Sequence, residues 1–254
     1  MLAMKPFLIK REGCFIFEPF LAQGVTAAFS TRVRDFATKT GQEGEEKTAW
    51  SEFCTITNTP LERISHFKQV HGDRIVQVDE RARVPGFPRV ESVREEADGA
   101  ITHEVNRPLV MFTADCAPVF FFDPKSRVAG IAHAGWRGAQ QKLPSKIVSK
   151  LKASFGAIPK DLMVGLGPMI HSCCYEVGPE FNQFFPGCVE ERASHYFFDL
   201  PGAIKNDLLE AGVAESNILD SHRCTACETE LFFSYRKEKE KAGRLCSLIM
   251  IRRD

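Results

Sequence analysis

The sequence has no excess of charge of either sign and no long hydrophobic run. Lysine and arginine together number 33, aspartate and glutamate also number 33, and the formal net charge is zero. A protein that holds nucleic acid through a basic surface is therefore not expected. The longest mostly apolar stretch, from Leu109 to Phe122, is 14 residues long and contains Asp115. It is too short and too polar to cross a membrane as a helix.

The sequence also lacks a regular cysteine framework. Its nine cysteines are an odd number and are scattered from Cys14 to Cys246, which argues against the paired disulfides of a small secreted protein. The N-terminal residues, interrupted by Lys5 and Lys10, do not resemble a secretory signal. We therefore expect a cytoplasmic protein whose thiols are free, metal-bound or catalytic.

The composition that remains is that of an ordinary globular protein. Of the 254 residues, 44% are hydrophobic, which allows a large buried core. No repeat or composition break divides the chain, so we expect one domain over residues 1–254. Strand-like and helix-like segments are intermixed, which predicts an α+β fold. The predicted strands are Val25–Ser30, Ile64–Val70, Arg74–Val78, Leu109–Thr113, Ala117–Asp123, Val128–Ala134, Leu162–Leu166 and Arg244–Ile251. The predicted helices are Glu46–Thr55, Gly138–Phe155, Pro179–Phe185 and Pro201–Ala211.

A hairpin is predicted around the segment Asp123-Pro124-Lys125-Ser126. Aspartate followed by proline favours a type I turn, and apolar runs lie on both sides. If the turn is centred on the middle of this segment, Cys116 lies directly opposite His133, with Cβ atoms about 4.5–5.5 Å apart. Pro118 acts against this register, because it cannot donate to the ladder and favours a bulge.

The residues alone leave three interpretations of Cys116 and His133 open. With a third ligand the pair would suit zinc, which keeps an open coordination position in catalytic sites. Without a metal, His133 could hold Cys116 as a thiolate nucleophile, as in a Cys–His hydrolase or amidase. Alternatively both residues belong to the core, because free cysteine is commonly buried.

The segment His133–Gly138 also suggests an anion site. Its glycines let the backbone approach a ligand closely, and Arg137 lies near the start of a predicted helix, where anions are favoured. A structural turn with Arg137 in an ion pair is the alternative.

Two cysteine motifs are interpreted as having no metal. The adjacent residues of Cys173-Cys174 point to opposite sides on a regular backbone, so both are not expected to bind one ion. Cys224 and Cys227 form a lone Cys-x-x-Cys pair, whereas structural zinc sites usually have a second such pair.

Six segments, taken together, carry a family resemblance. They are Lys68–Gly72, Ala97–Gly99, Thr113–Val119, His133–Gly138, Gly167–Gly178 and Phe232–Arg236. In this order they resemble the YfiH-like laccase-domain family, whose members have been called polyphenol oxidases and purine nucleoside phosphorylases. The resemblance covers roughly Phe29 to Ile251. It implies a four-layer α/β/β/α sandwich with mixed sheets.

The resemblance also implies a metal site and an activity. The site would consist of His71, Cys116 and His133, which supplies the third ligand for the hairpin pair. The implied metal is zinc, with copper for an oxidase activity. The implied reaction is phosphorolysis of adenosine, inosine, guanosine and methylthioadenosine, so that the partners are a purine nucleoside and phosphate. Deamination of adenosine is a second implied activity.

Further residues are predicted to act at this site. Asp115 could orient a ligand or carry a proton, although on a regular strand it would point away from the neighbouring cysteine. Arg32 and Arg137 are candidate phosphate contacts, because guanidinium binds phosphate in a bidentate manner. His171 and Tyr175 are further candidate substrate contacts.

Two positions depart from the family pattern. Val33–Ala37 replaces a glycine-rich stretch and an Asn-Leu segment, which puts the choice of substrate in question. Lys237 replaces the last arginine of the usual Ser-Tyr-Arg-Arg. A copper-dependent polyphenol oxidase is an alternative function, but seven scattered histidines are few for several copper ions. A non-enzymatic protein that binds metal or nucleosides is another.

Overall fold

A computed structural model describes residues 7–36, 43–79 and 95–253 of the protein, with the backbone alone over residues 43–47. Ala37 of the altered Val33–Ala37 segment lies outside these ranges. The strands are β1 (Leu8–Arg11), β2 (Cys14–Phe17), β3 (Val25–Ser30), β4 (Ile75–Gln77), β5 (Gly99–Thr102), β6 (Leu109–Thr113), β7 (Ala117–Asp123), β8 (Val128–Ala134), β9 (Met163–Leu166), β10 (Glu176–Val177), β11 (Val189–Arg192), β12 (His195–Phe198), β13 (Ile218–Asp220) and β14 (Leu245–Ile251). The helices are α1 (Glu18–Leu21), α2 (Glu43–Thr57), α3 (Trp136–Gln140), α4 (Leu143–Phe155), α5 (Phe181–Phe184), α6 (Leu200–Glu210) and α7 (Tyr235–Glu238).

Two large sheets form the centre of the fold. The first has the strand order β1-β2-β3-β14-β6 and is antiparallel throughout. The second has the order β13-β9-β7-β8-β5-β4 and combines parallel with antiparallel pairs. A small antiparallel sheet has the order β10-β12-β11. The expectation of mixed sheets therefore holds for one of the two large sheets.

Strand β7 shows why the sheets lie between helices. All seven of its residues are buried, so both of its faces are covered. Val119 and Phe121 belong to the core that includes α4 and α6. Phe120 and Phe122 point the opposite way, into the core between the two large sheets, because side chains alternate along a strand.

A third core covers the outer face of the antiparallel sheet. Trp50 and Phe53 of α2 pack there with Val110 and Met250. The order of layers is therefore helix, sheet, sheet, helix, as the expected α/β/β/α sandwich requires. Among the described residues, no helix is long and apolar enough to cross a membrane.

One predicted strand was wrong, and one predicted helix is only partly confirmed. Ile64–Val70 forms no strand, because its two bridges, from Ser65 and Lys68, go to different segments and no ladder grows. The predicted helix Gly138–Phe155 is interrupted before α4. Lys142 adopts a left-handed conformation there, with φ of 56°, and α4 restarts with a proline in its first turn.

The β7–β8 hairpin forms, but its register differs from the prediction by two residues. Ala117 pairs with Ala134, and Pro118 pairs with His133. The connection is longer than a tight turn, since Asp123 pairs with Val128. Within it the carboxylate of Asp123 accepts a hydrogen bond from the backbone N–H of Lys125 at 3.0 Å. Cys116 therefore precedes the first pair of the ladder and lies in a turn.

Candidate metal centre and cavity

Three segments bring His71, Cys116 and His133 together. His71 lies in the loop before β4, Cys116 in the turn before β7, and His133 in β8. One candidate ligand atom from each lies within 4.8 Å of the other two, and the two imidazole ring centres are 4.9 Å apart. Cys116 reaches this position because Asp115, with φ of 89°, turns the chain just before it. The structure thus brings together the three residues that the resemblance implies as ligands.

The buried carboxylate of Asp98 orients both histidines. Its Oδ1 lies 2.8 Å from Nδ1 of His133. The same carboxylate accepts hydrogen bonds from the backbone N–H groups of Val70, His71 and Gly72 at 2.8–3.1 Å. His71 has φ of 60°, which curves this loop around the carboxylate. Carboxylates that hold a histidine in this way are common beside metal sites.

The electrostatics of the cluster favour an ionised thiol. Burial opposes ionisation of Cys116, but His133 and His71 outweigh it and lower the pKa of the thiol to about 6. Burial also disfavours a charged His133, but the Cys116 thiolate and Asp98 outweigh it and raise the pKa of His133 to about 9. A metal ion would displace the proton of His133 and would then be held by a thiolate and two imidazoles, which is a metal-ligand set.

The local space also fits a metal ion. A Cβ atom added at Gly135 would lie only 2.6 Å from Sγ of Cys116, so the glycine leaves room for the sulfur at this position. Two imidazoles and one thiolate suit zinc and leave a fourth coordination position for another molecule. The residues present therefore fit a metal centre of the open type.

The three ligands line a cavity of about 630 Å³, a size typical of small-molecule sites. Aromatic rings and basic side chains form much of its wall. The aromatic residues are Phe112, Trp136, Tyr175 and Tyr235, and the basic residues are Arg137, Arg236, Lys239 and Arg244. Asp115 is the one acidic residue among the described residues that line it.

Asp115 acts mainly as a clamp in this structure. Its Oδ1 accepts a hydrogen bond from the hydroxyl of Thr225 at 2.6 Å, and its Oδ2 accepts one from the backbone N–H of Arg236 at 2.6 Å. Both carboxylate oxygens are thus engaged by the segment that supplies three of the cavity's four basic residues, namely Arg236, Lys239 and Arg244. Asp115 positions that segment against the metal centre.

Arg137 and Tyr175 line the cavity as predicted substrate contacts should. The guanidinium of Arg137 stacks on Trp136, 4.4 Å from the ring centre. In the described part of the chain no carboxylate pairs with Arg137, which leaves its charge available for an anion. Tyr175 lies under the guanidinium of Arg236, whose carbon is 5.2 Å from the ring centre.

Arg32 and His171 do not line the cavity. The guanidinium of Arg32 pairs with Glu238 at 2.8 Å and lies 4.9 Å from the centre of the Phe233 ring. It holds the segment around α7 instead of facing the cavity. His171 is partly buried, and burial lowers its pKa.

Several site residues were missed by the sequence argument. Asp98 and Arg236 both lie in segments that carry the family resemblance. Neither segment indicates by its sequence what the residue does at the site. Lys239 lies in a charged stretch that is typical of solvated loops, and Arg244 begins the predicted strand Arg244–Ile251, which indicates no role in a site. The altered Val33–Ala37 segment reaches the same wall, because Asp35 accepts a hydrogen bond from the backbone N–H of Arg244 at 2.8 Å.

The two cysteine motifs lie together in the structure, which the sequence patterns did not indicate. Cys173, Cys174, Cys224 and Cys227 place their sulfur atoms within 4.8 Å of one another. The alternation expected for Cys173 and Cys174 does not apply, because residues 172–174 form a turn and not a strand.

The comparisons with known proteins agree with this architecture. A family model described as multi-copper polyphenol oxidoreductase laccase matches residues 30–252. A Geobacillus stearothermophilus protein named purine nucleoside phosphorylase YlmD is 34% identical over 199 residues, which cover 75% of this chain and 73% of that protein. A protein of an unknown prokaryotic organism, named adenosine deaminase RL5, is 29% identical over 192 residues, which cover 70% of this chain and 71% of that protein.

Solved structures show the same likeness over nearly the whole chain. The crystal structure of YlmD from Geobacillus stearothermophilus matches with a TM-score of 0.90 and 28% identity, and the match covers 98% of this chain and 100% of that one. The crystal structure of a Bacillus licheniformis hypothetical protein, YfiH, matches with a TM-score of 0.88 and the same identity and coverage. The chain therefore belongs to the multi-copper polyphenol oxidoreductase laccase family.

Proposed function

We propose that residues 1–254 form one catalytic domain, a zinc-dependent purine nucleoside phosphorylase for adenosine, inosine, guanosine and methylthioadenosine. The observation that carries the proposal is that one cavity combines the three candidate metal ligands, four aromatic side chains and four basic side chains. The names of the relatives support the same class of substrate, because YlmD is named a purine nucleoside phosphorylase.

The wall of the cavity suits both substrates. Aromatic faces such as those of Trp136 and Tyr175 can stack against a purine ring. Arg137, Arg236 and Lys239 can bind phosphate, because charge-assisted hydrogen bonds to phosphate are strong. Asp115 is one acidic residue against four basic side chains in this wall, so that positive charge remains in excess.

The reaction is a displacement at the ribose. A phosphate oxygen forms a bond to C1′ while the bond from C1′ to the purine nitrogen breaks, and the leaving purine takes the electron pair and then a proton. His71, Cys116 and His133 would hold the zinc ion, which supplies a Lewis acid with one open coordination position. Asp98 keeps His133 in a single tautomer, and the basic residues orient the phosphate.

Adenosine deamination is a second candidate activity of the same centre. One relative is named an adenosine deaminase. Zinc deaminases of nucleobases also hold the ion with three imidazole or thiolate ligands, although theirs are one histidine and two cysteines or three cysteines. In that reaction water replaces the amino group at C6, and ammonia leaves. The products, inosine and ammonia, distinguish it from phosphorolysis.

The test measures base release from each nucleoside by chromatography, with and without phosphate. Wild type is compared with Cys116→Ala and with the matched control Cys54→Ala, which removes a buried thiol in the core of α2. We expect free base and ribose 1-phosphate in equal amounts, only with phosphate, lost in Cys116→Ala and retained in Cys54→Ala. The proposal fails if folded, zinc-loaded wild type turns over none of the four nucleosides.

The same preparations separate the alternatives. A Cys–His hydrolase would keep its activity after the metal is chelated and lose it after the thiol is alkylated. A polyphenol oxidase would consume oxygen with a phenol when loaded with copper. Neither result is expected from a zinc-dependent phosphorylase.

A further inference from the structure

We propose that Cys173, Cys174, Cys224 and Cys227 form a second metal site, a structural zinc site with four thiolate ligands. The cluster is separate from the proposed catalytic centre, because none of the four residues lines the cavity. All four cysteines are free thiols in this structure.

The sulfur atoms already have nearly the spacing that zinc requires. Sγ of Cys227 lies 3.3 Å from Sγ of Cys173 and 3.3 Å from Sγ of Cys174, and Sγ of Cys173 lies 3.5 Å from Sγ of Cys224. In a tetrahedral site with Zn–S bonds of about 2.3 Å, the sulfur atoms are about 3.8 Å apart. The other three pairs of sulfur atoms lie within 4.8 Å of each other. Movements of up to about 1 Å, within the range of side-chain fluctuations, would therefore seat the ion.

The backbone holds the two cysteine segments in place without the ion. Met169 N–H donates to the carbonyl of Arg223 at 3.1 Å, and Thr225 N–H donates to the carbonyl of Met169 at 3.0 Å. Within the second segment, Cys227 N–H donates to the carbonyl of Cys224 at 3.2 Å. These bonds form a short parallel bridge beside a turn, so that the ligands are preorganised and the entropy lost on binding is smaller.

Positively charged side chains lie near the four cysteines and would offset the negative charge of a zinc–thiolate cluster. Zinc with four thiolates carries a net charge of −2, which is costly unless cations lie close. Arg192 lies near enough to Cys173, and Lys237 near enough to Cys227, for their charges to interact. Arg192 also donates a hydrogen bond to the carbonyl of Ser172 at 3.3 Å, which fixes it beside the cluster.

The position of the cluster indicates what the zinc would do. The first cysteine segment continues into Tyr175, which lines the cavity. The second carries Thr225, which donates to Asp115, and leads on to Arg236 of the same cavity. A zinc ion with four protein ligands has no open coordination position. It would therefore join two walls of the cavity and would take no part in the chemistry.

The test measures the number of zinc ions per chain by elemental mass spectrometry. The proteins are purified without added metal or chelator. Wild type should contain about two zinc ions per chain, and the matched control Cys54→Ala should contain the same. Cys116→Ala and Cys227→Ser should each contain about one, since each removes a ligand of a different site. Circular dichroism confirms that each variant is folded.

A second measurement uses Cys116→Ala, which keeps the four-cysteine cluster intact. After its zinc is exchanged for cobalt, we expect the visible bands of tetrahedral cobalt and the intense ultraviolet transitions of cobalt–thiolate bonds. Removal of the metal should lower the Tm of this variant by roughly 5 °C or more, as a structural site requires. This measurement decides the question even if Cys227→Ser does not fold.

Four outcomes would overturn the proposal. One is a single zinc ion in wild type that only Cys116→Ala removes. Another is an intact mass lowered by two or four hydrogen atoms, which would show that these thiols form disulfides. A third is iron in place of zinc, and the fourth is a cobalt spectrum of Cys116→Ala without thiolate transitions. None of these measurements depends on enzymatic activity, so that the two proposals stand or fall separately.

Discussion

Oδ1 of Asp98 lies 2.8 Å from Nδ1 of His133, which leaves Nε2 as the nitrogen of that ring available to a metal. The same carboxylate accepts hydrogen bonds from the backbone around His71. One buried acidic group thus sets the orientation of two candidate ligands that come from different segments. Such outer partners commonly contribute strongly to metal affinity.

Asp98→Asn should weaken zinc binding at the first site by about 10–100-fold. The amide nitrogen of asparagine cannot accept the hydrogen bonds of the surrounding N–H groups, so that the loop of His71 and the ring of His133 lose their common anchor. The measurement is a competition titration with a zinc chelator. Asp123→Asn is the matched control, because Asp123 is equally buried but holds only the β7–β8 connection. Equal zinc affinities for Asp98→Asn and wild type would contradict the anchoring role.

Gly135→Ala should also lower zinc affinity, by a steric route. Its new Cβ would lie 2.6 Å from Sγ of Cys116, too close for any real contact, and the sulfur would have to move. The backbone itself accepts alanine, because φ is −79° at this position. We expect at least about a tenfold rise in the zinc dissociation constant, with the folded structure retained.

Gly72→Ala is the control for that substitution. Gly72 lies in the same site, yet its Cβ would meet nothing closer than 3.6 Å. Its zinc affinity should stay near that of wild type. If both alanine variants bind zinc equally well, the space at Gly135 has no role in the site.

His66 should make the protein less stable as the pH falls from about 6.5 to about 4. The side chain is 1% exposed, and burial lowers its pKa from 6.5 to about 4. Below pH 6.5 the unfolded chain binds a proton that folded His66 does not accept, so the stabilisation is complete above that pH and is lost on acidification. From pH 7 to pH 5 the loss is roughly 2 kcal/mol.

The measurement is denaturant unfolding of wild type and His66→Leu at both pH values. Terms from other titrating groups, including the metal ligands, are common to both proteins and cancel in the comparison. Wild type should lose about 2 kcal/mol more than the variant between pH 7 and pH 5. The same pH dependence in both proteins would show that His66 does not cause it.

The predicted strands that are correct are those with strong local signals. β3, β6, β7 and β8 are runs of apolar residues that are largely buried, and their predicted bounds match the structure. β11 was missed because three of its four residues are exposed and charged. Short polar strands form through pairing with a neighbour, which no local pattern indicates.

The candidate sites depend on contacts that local patterns do not contain. The hairpin argument placed Cys116 opposite His133 by a wrong register, yet the two meet because a left-handed Asp115 turns the chain toward β8. The second cluster depends on a turn at residues 172–174 and on the bridge from Met169 to Cys224. Turns and bridges between distant segments are set by tertiary packing, so that a motif search that expects paired Cys-x-x-Cys segments misses this site.

Arg137→Gln should raise the KM for phosphate by about tenfold or more, because a charge-assisted hydrogen bond to phosphate is lost. Arg137 stacks on Trp136 at the cavity wall, and the shorter neutral side chain can neither stack in the same way nor attract the anion. The KM for the nucleoside and the zinc content should change little, since the metal ligands are untouched.

Arg74→Gln is the matched control, because it removes an arginine that is exposed and paired with Glu95 outside the cavity. Steady-state kinetics with phosphate and nucleoside varied in turn separates the two constants. A rise in the nucleoside KM alone would place Arg137 at the purine or ribose and would assign the phosphate to Arg236, Lys239 and Arg244.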